Sequence, residues 1–424
     1  MGRALQASVS RAQGSENAVT PRLDEIALAL RDARLDGWLF YDFRLSDPLA
    51  YRILGLSDDG IATRRWFCYV PAQGKPRAIV SAVEAHRLDA LEVEKTIYRS
   101  HDEMLAALSN ALSGARRIAM DYSPGCAIPY VSRVDAGTVE IVRTMGIEVV
   151  TAADLIQRFE AVLTREQLLS HQRAAHALRT IVDETFAEIA QVVLAGRPVS
   201  EVSVQETVMA LFAARGLVTH SPPIVAVNEH SADPHYGPTL KNDRAIGRGD
   251  FVLLDLWAKE TAPHSIYADF TWVAFVGDRA PAEHARVFEI VARARDAAVA
   301  LVQQRVAAGK PVSGREADRA ARGVVEAAGF GEMFVHRTGH SIGREVHGTG
   351  ANLDSLETLD DRTLIDSTCF SVEPGIYLPG KFGVRSELDM TIENGRANVS
   401  GEPRQREIIA LLAPASKLRS GVKP

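Results

Sequence analysis

Residues 369–393, CFSVEPGIYLPGKFGVRSELDMTIE, read as two apolar strands, CFSVEPGIYL and GVRSELDMTIE, joined through PGKF. Aromatic and β-branched residues run up to a Pro-Gly break and resume beyond it. Each strand carries a glutamate inside its apolar pattern, Glu373 and Glu387. The same figure occurs earlier: DFVLLDLWA (250–258) and IYADFTWVAFV (266–276), joined by KETAPHS, form a pair that encloses Asp255 and Asp269. A carboxylate in a buried strand is costly unless it is paired, hydrogen-bonded or bound to a cation. One such acid carries little weight, since satisfied buried acids are common. Two on each of two strand pairs call for a common cause.

Working outward, the chain repeats itself. Ala195-Gly-Arg-Pro-Val-Ser200 recurs as Ala308-Gly-Lys-Pro-Val-Ser313, and at the same offset Ala214, Gly216 and Leu217 are answered by Ala327, Gly329 and Phe330. Each copy reads as helix end, turn and new helix. Gly196 and Gly309 suit the left-handed residue past a helix C-terminus. Ser200 and Ser313 suit N-caps, and Glu316 completes a capping box with Ser313. Helices are expected over roughly Thr164–Leu194 and over Pro281–Ala308, the latter with Val287, Ile290, Ala294, Ala298 and Leu301 along one stripe. The alternatives are a duplicated α/β unit with a site between its halves, or chance likeness of two helix connections.

Upstream, residues 21–160 alternate helix and strand. Leu23–Leu35 has helical spacing, and DGWLFYDF, WFCYVP, PRAIVSAV, RRIAMDYS and IEVVTA read as short strands. This predicts an α/β domain ahead of a catalytic stretch at 165–413. It contains no GxGxxG after a strand and no GxxxxGK[ST], so no nucleotide site is indicated. The 424-residue length fits two domains. The net charge of −6 comes with no long basic run, which argues against a nucleic-acid partner. Cys68, Cys126 and Cys369 are odd in number and far apart, so they signal neither a disulfide framework nor a thiolate metal site. MGRALQASVSRAQGSENA lacks the apolar region of a secretory signal, and no stretch approaches the ~20 apolar residues of a membrane span. The expectation is a cytoplasmic protein with no membrane partner and a flexible leader over residues 1–20.

Completing a cation site around four carboxylates needs further ligands. The segment His336-Arg-Thr-Gly-His340-Ser-Ile-Gly-Arg-Glu-Val-His347 offers three histidines among glycines that let backbone approach closely. One histidine with four carboxylates is a hard, oxygen-rich set that favours Mn²⁺, Fe²⁺ or Co²⁺, with Zn²⁺ also compatible.

In this order, Asp, Asp, His, Glu, Glu, the chain resembles the pita-bread metallopeptidases: methionine aminopeptidases, Xaa-Pro aminopeptidases and prolidases. SVEPGIY (371–377) and GVRSE (383–387) look like that family's two glutamate motifs. GHSIG (339–343) with His347 looks like its metal-histidine motif, and Pro234-His235-Tyr236 like its upstream histidine. The first domain resembles the N-terminal domain of creatinase and prolidase relatives. Two departures stand out. Asp255-Leu-Trp257 replaces the usual Asp-x-Gly, and the two aspartates are 14 residues apart where 11 is usual.

The resemblance implies an α/β N-terminal domain and an α+β, pseudo-two-fold pita-bread catalytic domain. It makes Asp255 a bidentate ligand of one metal ion and His340 a ligand of the other, with Asp269 and Glu387 bridging and Glu373 bound to one beside the nucleophile. Two divalent ions, manganese ahead of cobalt, zinc and iron, would share a solvent molecule and lower its pKa to give hydroxide. Glu373 would carry a proton to the leaving nitrogen. His235 and His347 would hold the carbonyl oxygen and the developing oxyanion, with His336 a further such group. Arg385, two positions before Glu387 on one strand face, would either fix a substrate carboxylate or neutralise the crowded acids. The substrate implied is a peptide with proline at its second position, and the assembly implied is a homodimer.

Three rivals remain. Gly339-His-Ser-Ile-Gly343 matches GxSxG, but the only later histidine, His347, is six residues on and no amphipathic helix follows. Creatinase-like hydrolysis or dimethylsulfoniopropionate-lyase-like chemistry could use the same scaffold, since fold and metals do not dictate substrate. The last is a non-catalytic binding protein on the fold.

Overall fold

The computed structural model describes residues 23–414, so the expected leader over 1–20 lies outside the described residues. The chain divides into two compact units. One runs to Tyr122 and adds Arg133–Ala152; the other takes Ser123–Ser132 and everything from Ala153.

The first unit is built on a six-stranded sheet in the order Glu94–Tyr98, Arg77–Ser81, Trp66–Pro71, Gly37–Asp42, Arg117–Met120, Glu148–Thr151. Its middle pairings are antiparallel and its outer ones parallel. Five of these strands coincide with the apolar runs of the sequence. The edge strand Glu94–Tyr98 does not, because its residues are mostly exposed and EKTIY carries no apolar run. Leu39, Phe67, Ile79, Ile118 and Met120 of the sheet pack on Met104, Leu108, Val139 and Val142 of two helices.

Three aspartates lie inside this unit. Asp42 accepts from Tyr51 Oη and from the Asp47 and Leu45 amides. Asp47 caps the Pro48–Ile53 helix through the Leu49 and Ala50 amides, and Asp121 accepts from Trp38 Nε1 at 2.8 Å. Asp47 Oδ2 and Asp121 Oδ2 have no other partner and lie within hydrogen-bonding reach of each other. One proton shared between them satisfies both. Burial, and then their mutual charge, hold Asp121 well above the carboxylate range; burial raises Asp47 to about 6. Because both folded values exceed the unfolded value near 3.9, the pair's contribution is full below about pH 4 and is lost as pH rises through about 6. Asp121→Asn keeps an acceptor for Trp38 and a donor for Asp47 without the buried acid. It should stabilise the protein by about 1–2 kcal/mol at pH 7.5 and by nothing at pH 4. Thermal midpoints of both proteins across that range check this, and an equal midpoint at pH 7.5 contradicts it.

The second unit is organised around four helices. α1 (Arg165–Leu194) leads into α2 (Glu201–Ala214), and α3 (Ala282–Ala307) into α4 (Gly314–Ala327). Ser200 and Ser313 cap α2 and α4 in capping boxes completed by Ser203 and Glu316. Gly196 (φ +65°) and Gly309 (φ +62°) supply the left-handed turns before them. Ser200 bridges to Ala245 and Ser313 to Thr363 in matching positions. The sequence repeat is a structural repeat.

Two strand ribbons fill the space between the helix pairs. β1 (Phe251–Glu260) and β2 (Ala268–Phe275) are antiparallel, with Asp255 opposite Thr271 and Asp269 opposite Trp257. Their alternation decides which side chains meet. Val252, Leu254, Leu256 and Ala258, with Ala268, Phe270, Trp272 and Ala274, pack into the core carried by α1 and α2. The opposite face turns Leu253 and Val273 into the core of α3 and α4, and the same face carries Asp255, Asp269 and Thr271.

The second ribbon departs from the expected pair of unbroken strands. It comprises β3 (Thr368–Val372), β4 (Gly375–Leu378), β5 (Phe382–Arg385) and β6 (Leu388–Glu393). β3 pairs with β6 and β4 with β5. The ladder breaks on both sides at one level, at Glu373-Pro374 and at Ser386-Glu387. Pro374 has no N–H to donate, so the ladder cannot run through it. The freed backbone turns to the other ribbon: Glu387 N–H donates to the Thr271 carbonyl at 3.2 Å. Both glutamates therefore sit at strand ends. No helix among the described residues is long and apolar enough to cross a membrane.

Candidate metal centre

The breaks of the second ribbon face the acidic side of the first. Asp255, Asp269, Glu387 and His340 are buried, and Glu373 lies beside them. His340 comes from a loop whose backbone lies flat against β3: Ser371 N–H donates to the His340 carbonyl at 2.8 Å, and Glu373 N–H to the Thr338 carbonyl at 2.6 Å. The closeness requires glycine at 339, where a Cβ would stand 2.0 Å from the Ser371 carbonyl oxygen.

The imidazole is oriented for ligation. His340 Nδ1 meets the Ser341 carbonyl at 3.2 Å, which places the proton there and leaves Nε2 as a lone pair. Nε2 lies 3.3 Å from Glu373 Oε1 and 3.6 Å from Asp269 Oδ2. Ligand atoms of Asp269, His340 and Glu387 all fall within 4.8 Å of one another. Asp255 is drawn to Arg385, whose Nη2 donates to its Oδ2. Three carboxylate oxygens, Asp255 Oδ1, Asp269 Oδ1 and Glu387 Oε1, are buried without a partner. Unpaired buried acceptors on adjacent like charges are what a divalent cation relieves. The residues present therefore fit a metal centre.

The electrostatics agree. Burial, followed by the neighbouring carboxylates, holds Asp269 and Glu387 well above the carboxylate range. Burial raises Asp255 too, against the pull of Arg385. Burial also opposes ionisation of Glu373, but His340, His336 and Arg385 outweigh it and bring that carboxyl below its ordinary value.

Arg385 ends β5 and spends its donors inside the site. Nε donates to Thr271 Oγ1 at 2.9 Å, and Nη1 to Tyr377 Oη at 3.0 Å and to the Pro234 carbonyl at 3.2 Å. Thr271 in turn donates to Glu387 Oε2 at 2.6 Å. Of the two roles open to Arg385, countering the crowded acids is the one these contacts serve.

A cavity of about 650 Å³ opens onto the cluster. His235, His336 and His347 all line it. The His347 ring stands edge-on to His340 with centroids 4.4 Å apart. His336 has both nitrogens engaged, Nε2 with Tyr377 Oη and Nδ1 with the Arg337 carbonyl, each at 2.7 Å; burial lowers its pKa to about 4. His235 sits exposed on the rim. Ser341 is buried with its Oγ accepting from the Gly350 amide at 3.0 Å, which leaves the GxSxG match without a nucleophile.

The family model for metallopeptidase family M24 matches residues 170–394, over half of the chain. The chain belongs to metallopeptidase family M24. Among curated relatives of this M24 protein, the probable dipeptidase PepE of Mycobacterium tuberculosis is 29% identical over 266 residues, 62% of this chain and 65% of that one. The Xaa-Pro dipeptidase of Pyrococcus furiosus is 30% identical over 256 residues, 59% and 66% respectively. The match thus spans just under two thirds of each relative's length. In three dimensions the chain resembles the dipeptidase PepE of Mycobacterium ulcerans with a TM-score of 0.66 at 26% identity, covering 92% of this chain and 97% of that one. The fold is the pita-bread arrangement.

The site also draws on residues that the sequence motifs do not mark. Asp389 is buried, accepts from the Asp269 amide at 2.9 Å and has a bare Oδ1; its place two residues past Glu387, in the same alternation, was the available clue. His220 and Tyr130 reach the cavity from segments outside the motifs, while Thr271 and Arg337 stand within two residues of motif residues but belong to no pattern of their own. Trp257, which replaces the usual glycine, lines the cavity with its Nε1 buried and unpaired.

Binding of a cation only to the folded state raises the unfolding temperature. Glu387→Gln removes one of the mutually repelling acids. The metal-free variant should melt at or a few degrees above the wild type, while its gain on saturation with Mn²⁺ falls below half the wild-type gain. Differential scanning calorimetry with and without metal checks both signs, and an undiminished gain contradicts the assignment.

Proposed function

We propose that this protein hydrolyses the peptide bond preceding proline, with two divalent cations, manganese first among them, held by Asp255, Asp269, His340, Glu373 and Glu387. The observation that carries this is the set of partnerless buried carboxylate oxygens facing His340 Nε2 at the floor of an open cavity. Similarity to proteins named dipeptidase and Xaa-Pro dipeptidase supports the substrate class.

When bound, the cations would supply a Lewis acid for the scissile carbonyl and a solvent nucleophile of lowered pKa. The chain's own groups do the rest. The carboxyl of Glu373 lies below its ordinary value, with Arg385 and Arg337 the fixed positive charges among its neighbours, so as a carboxylate it can take a proton from the attacking water and deliver it to the departing nitrogen. His347 is held neutral by burial and by the nearby His340 and Arg337. Its N–H can donate to the carbonyl oxygen as negative charge develops there. His235, on the rim, would contact the same substrate. Arg385 keeps Asp255 and Glu387 from repelling each other out of position, directly and through Thr271.

The test uses chelator-stripped protein, restored with Mn²⁺ and given Ala-Pro and Ala-Pro-Ala. Cleavage of at least one peptide should depend on the metal, and Glu373→Gln should reduce kcat by about 10²–10⁴-fold. Metal uptake without cleavage of either peptide would sink the peptidase proposal and bring forward small-molecule hydrolysis or lyase chemistry on the same centre. A non-catalytic protein on the fold would take up no stoichiometric metal.

A further inference from the structure

Trp257 is a large side chain at the cavity that the chemistry proposed above leaves unused. It stands two residues beyond Asp255 on β1 and directly opposite Asp269 on β2. Alternation puts Asp255, Trp257, Asp269 and Thr271 on one face of the first ribbon. Side chains facing each other across an antiparallel pair have Cβ atoms about 5 Å apart. Trp257 therefore adjoins both aspartates of the proposed cation site, and it lines the same cavity as they do.

Packing seats the ring. Trp257 is half-buried against an apolar cluster that includes Ile266, Tyr267, Ile342 and Val346. Ile342 and Val346 follow His340 in the chain, so this cluster joins the first ribbon to the histidine's loop. The His220 ring stands 6.2 Å from the indole, centre to centre, and His220 lines the cavity too. Nε1 has no hydrogen-bond partner among the described residues, so the indole is placed by shape and not by a polar tether.

The direction of the substrate follows from the path of the proton. The departing nitrogen is drawn toward Glu373, which comes from the second ribbon. The residue that keeps the carbonyl lies on the other side of the scissile bond, over the first ribbon. Its side chain meets the wall that Trp257 and His220 build. An indole in that wall takes space that a small residue at position 257 would leave to the substrate.

We propose that Trp257 shortens the pocket for the residue before proline, so that the enzyme accepts Gly-Pro and Ala-Pro and rejects bulky first residues. This rests on the peptidase function proposed above. One methylene more or less in an apolar pocket changes kcat/KM by roughly 10- to 200-fold, and a filled pocket cannot take a larger group without strain.

The test compares Mn²⁺-loaded wild type, Trp257→Gly and Trp257→Phe on Ala-Pro and Phe-Pro. The Mn²⁺-induced rise in melting temperature is recorded for each protein. Wild type should favour Ala-Pro over Phe-Pro by at least about tenfold in kcat/KM. Trp257→Gly should cut that ratio by at least about tenfold, through a lower KM for Phe-Pro, while keeping its metal-induced rise. Trp257→Phe, which leaves a smaller aromatic ring in the packing, should move the ratio the same way by a smaller factor. It carries the test alone if the glycine variant does not fold. An unchanged ratio in a variant that retains the metal-induced rise overturns the pocket and leaves the peptidase function standing. A wild type that prefers Phe-Pro overturns it as well. A wild type that takes up metal but cuts neither Ala-Pro nor Ala-Pro-Ala defeats the peptidase function, and the pocket falls with it.

Discussion

The second unit is built around a repulsion. Asp255, Asp269, Glu373, Glu387 and Asp389 converge in a water-poor interior, and at low effective dielectric neighbouring carboxylates raise one another's cost of ionisation. Arg385 is the resident counter-charge, and Thr271 links it to Glu387 by accepting from one and donating to the other. The two ribbons are stitched at this same level, by Glu387 N–H to the Thr271 carbonyl and by Asp269 N–H to Asp389. Structure alone leaves the repulsion only partly answered, as the bare oxygens of Asp255, Asp269, Glu387 and Asp389 show. The fold keeps an unfavourable arrangement that a bound cation would turn favourable.

Rigidity around that centre comes from ordinary packing. Residues alternating with the acids on β1 and β2 anchor in the core of α1 and α2, while Phe370, Val372, Val384 and Met390 anchor the broken ribbon in the core of α3 and α4. Each ribbon thus has its own helical support, and the acids meet along the seam. The helix pairs are set by near-identical turns, so the two halves present their ribbons in a related way. The centre inherits its geometry from the repeat.

Much of this was legible in the chain. The capped turns at Ser200 and Ser313, the apolar strands and the acids embedded in them are local patterns, and local patterns survive in sequence. What could not be read was convergence. Tyr130 arrives from Ser123–Ser132, a segment set apart from the rest of the second unit in the chain, and Arg337 has no pattern of its own between two histidines of the same motif. Pro374 marks the break in the second ribbon, but the apolar run continues on either side of it and has the pattern of one strand. The edge strand Glu94–Tyr98 is held by backbone pairing to Arg77–Ser81, which leaves no mark on composition.

The most direct measurement of the central claim is anomalous diffraction from crystals of the protein grown with Mn²⁺. The account predicts two anomalous peaks among Asp255, Asp269, His340, Glu373 and Glu387, with Arg385 moved off Asp255 to free that carboxylate. No peak at the cluster, with Arg385 still paired to Asp255, would contradict it and leave the buried acids as a structural network.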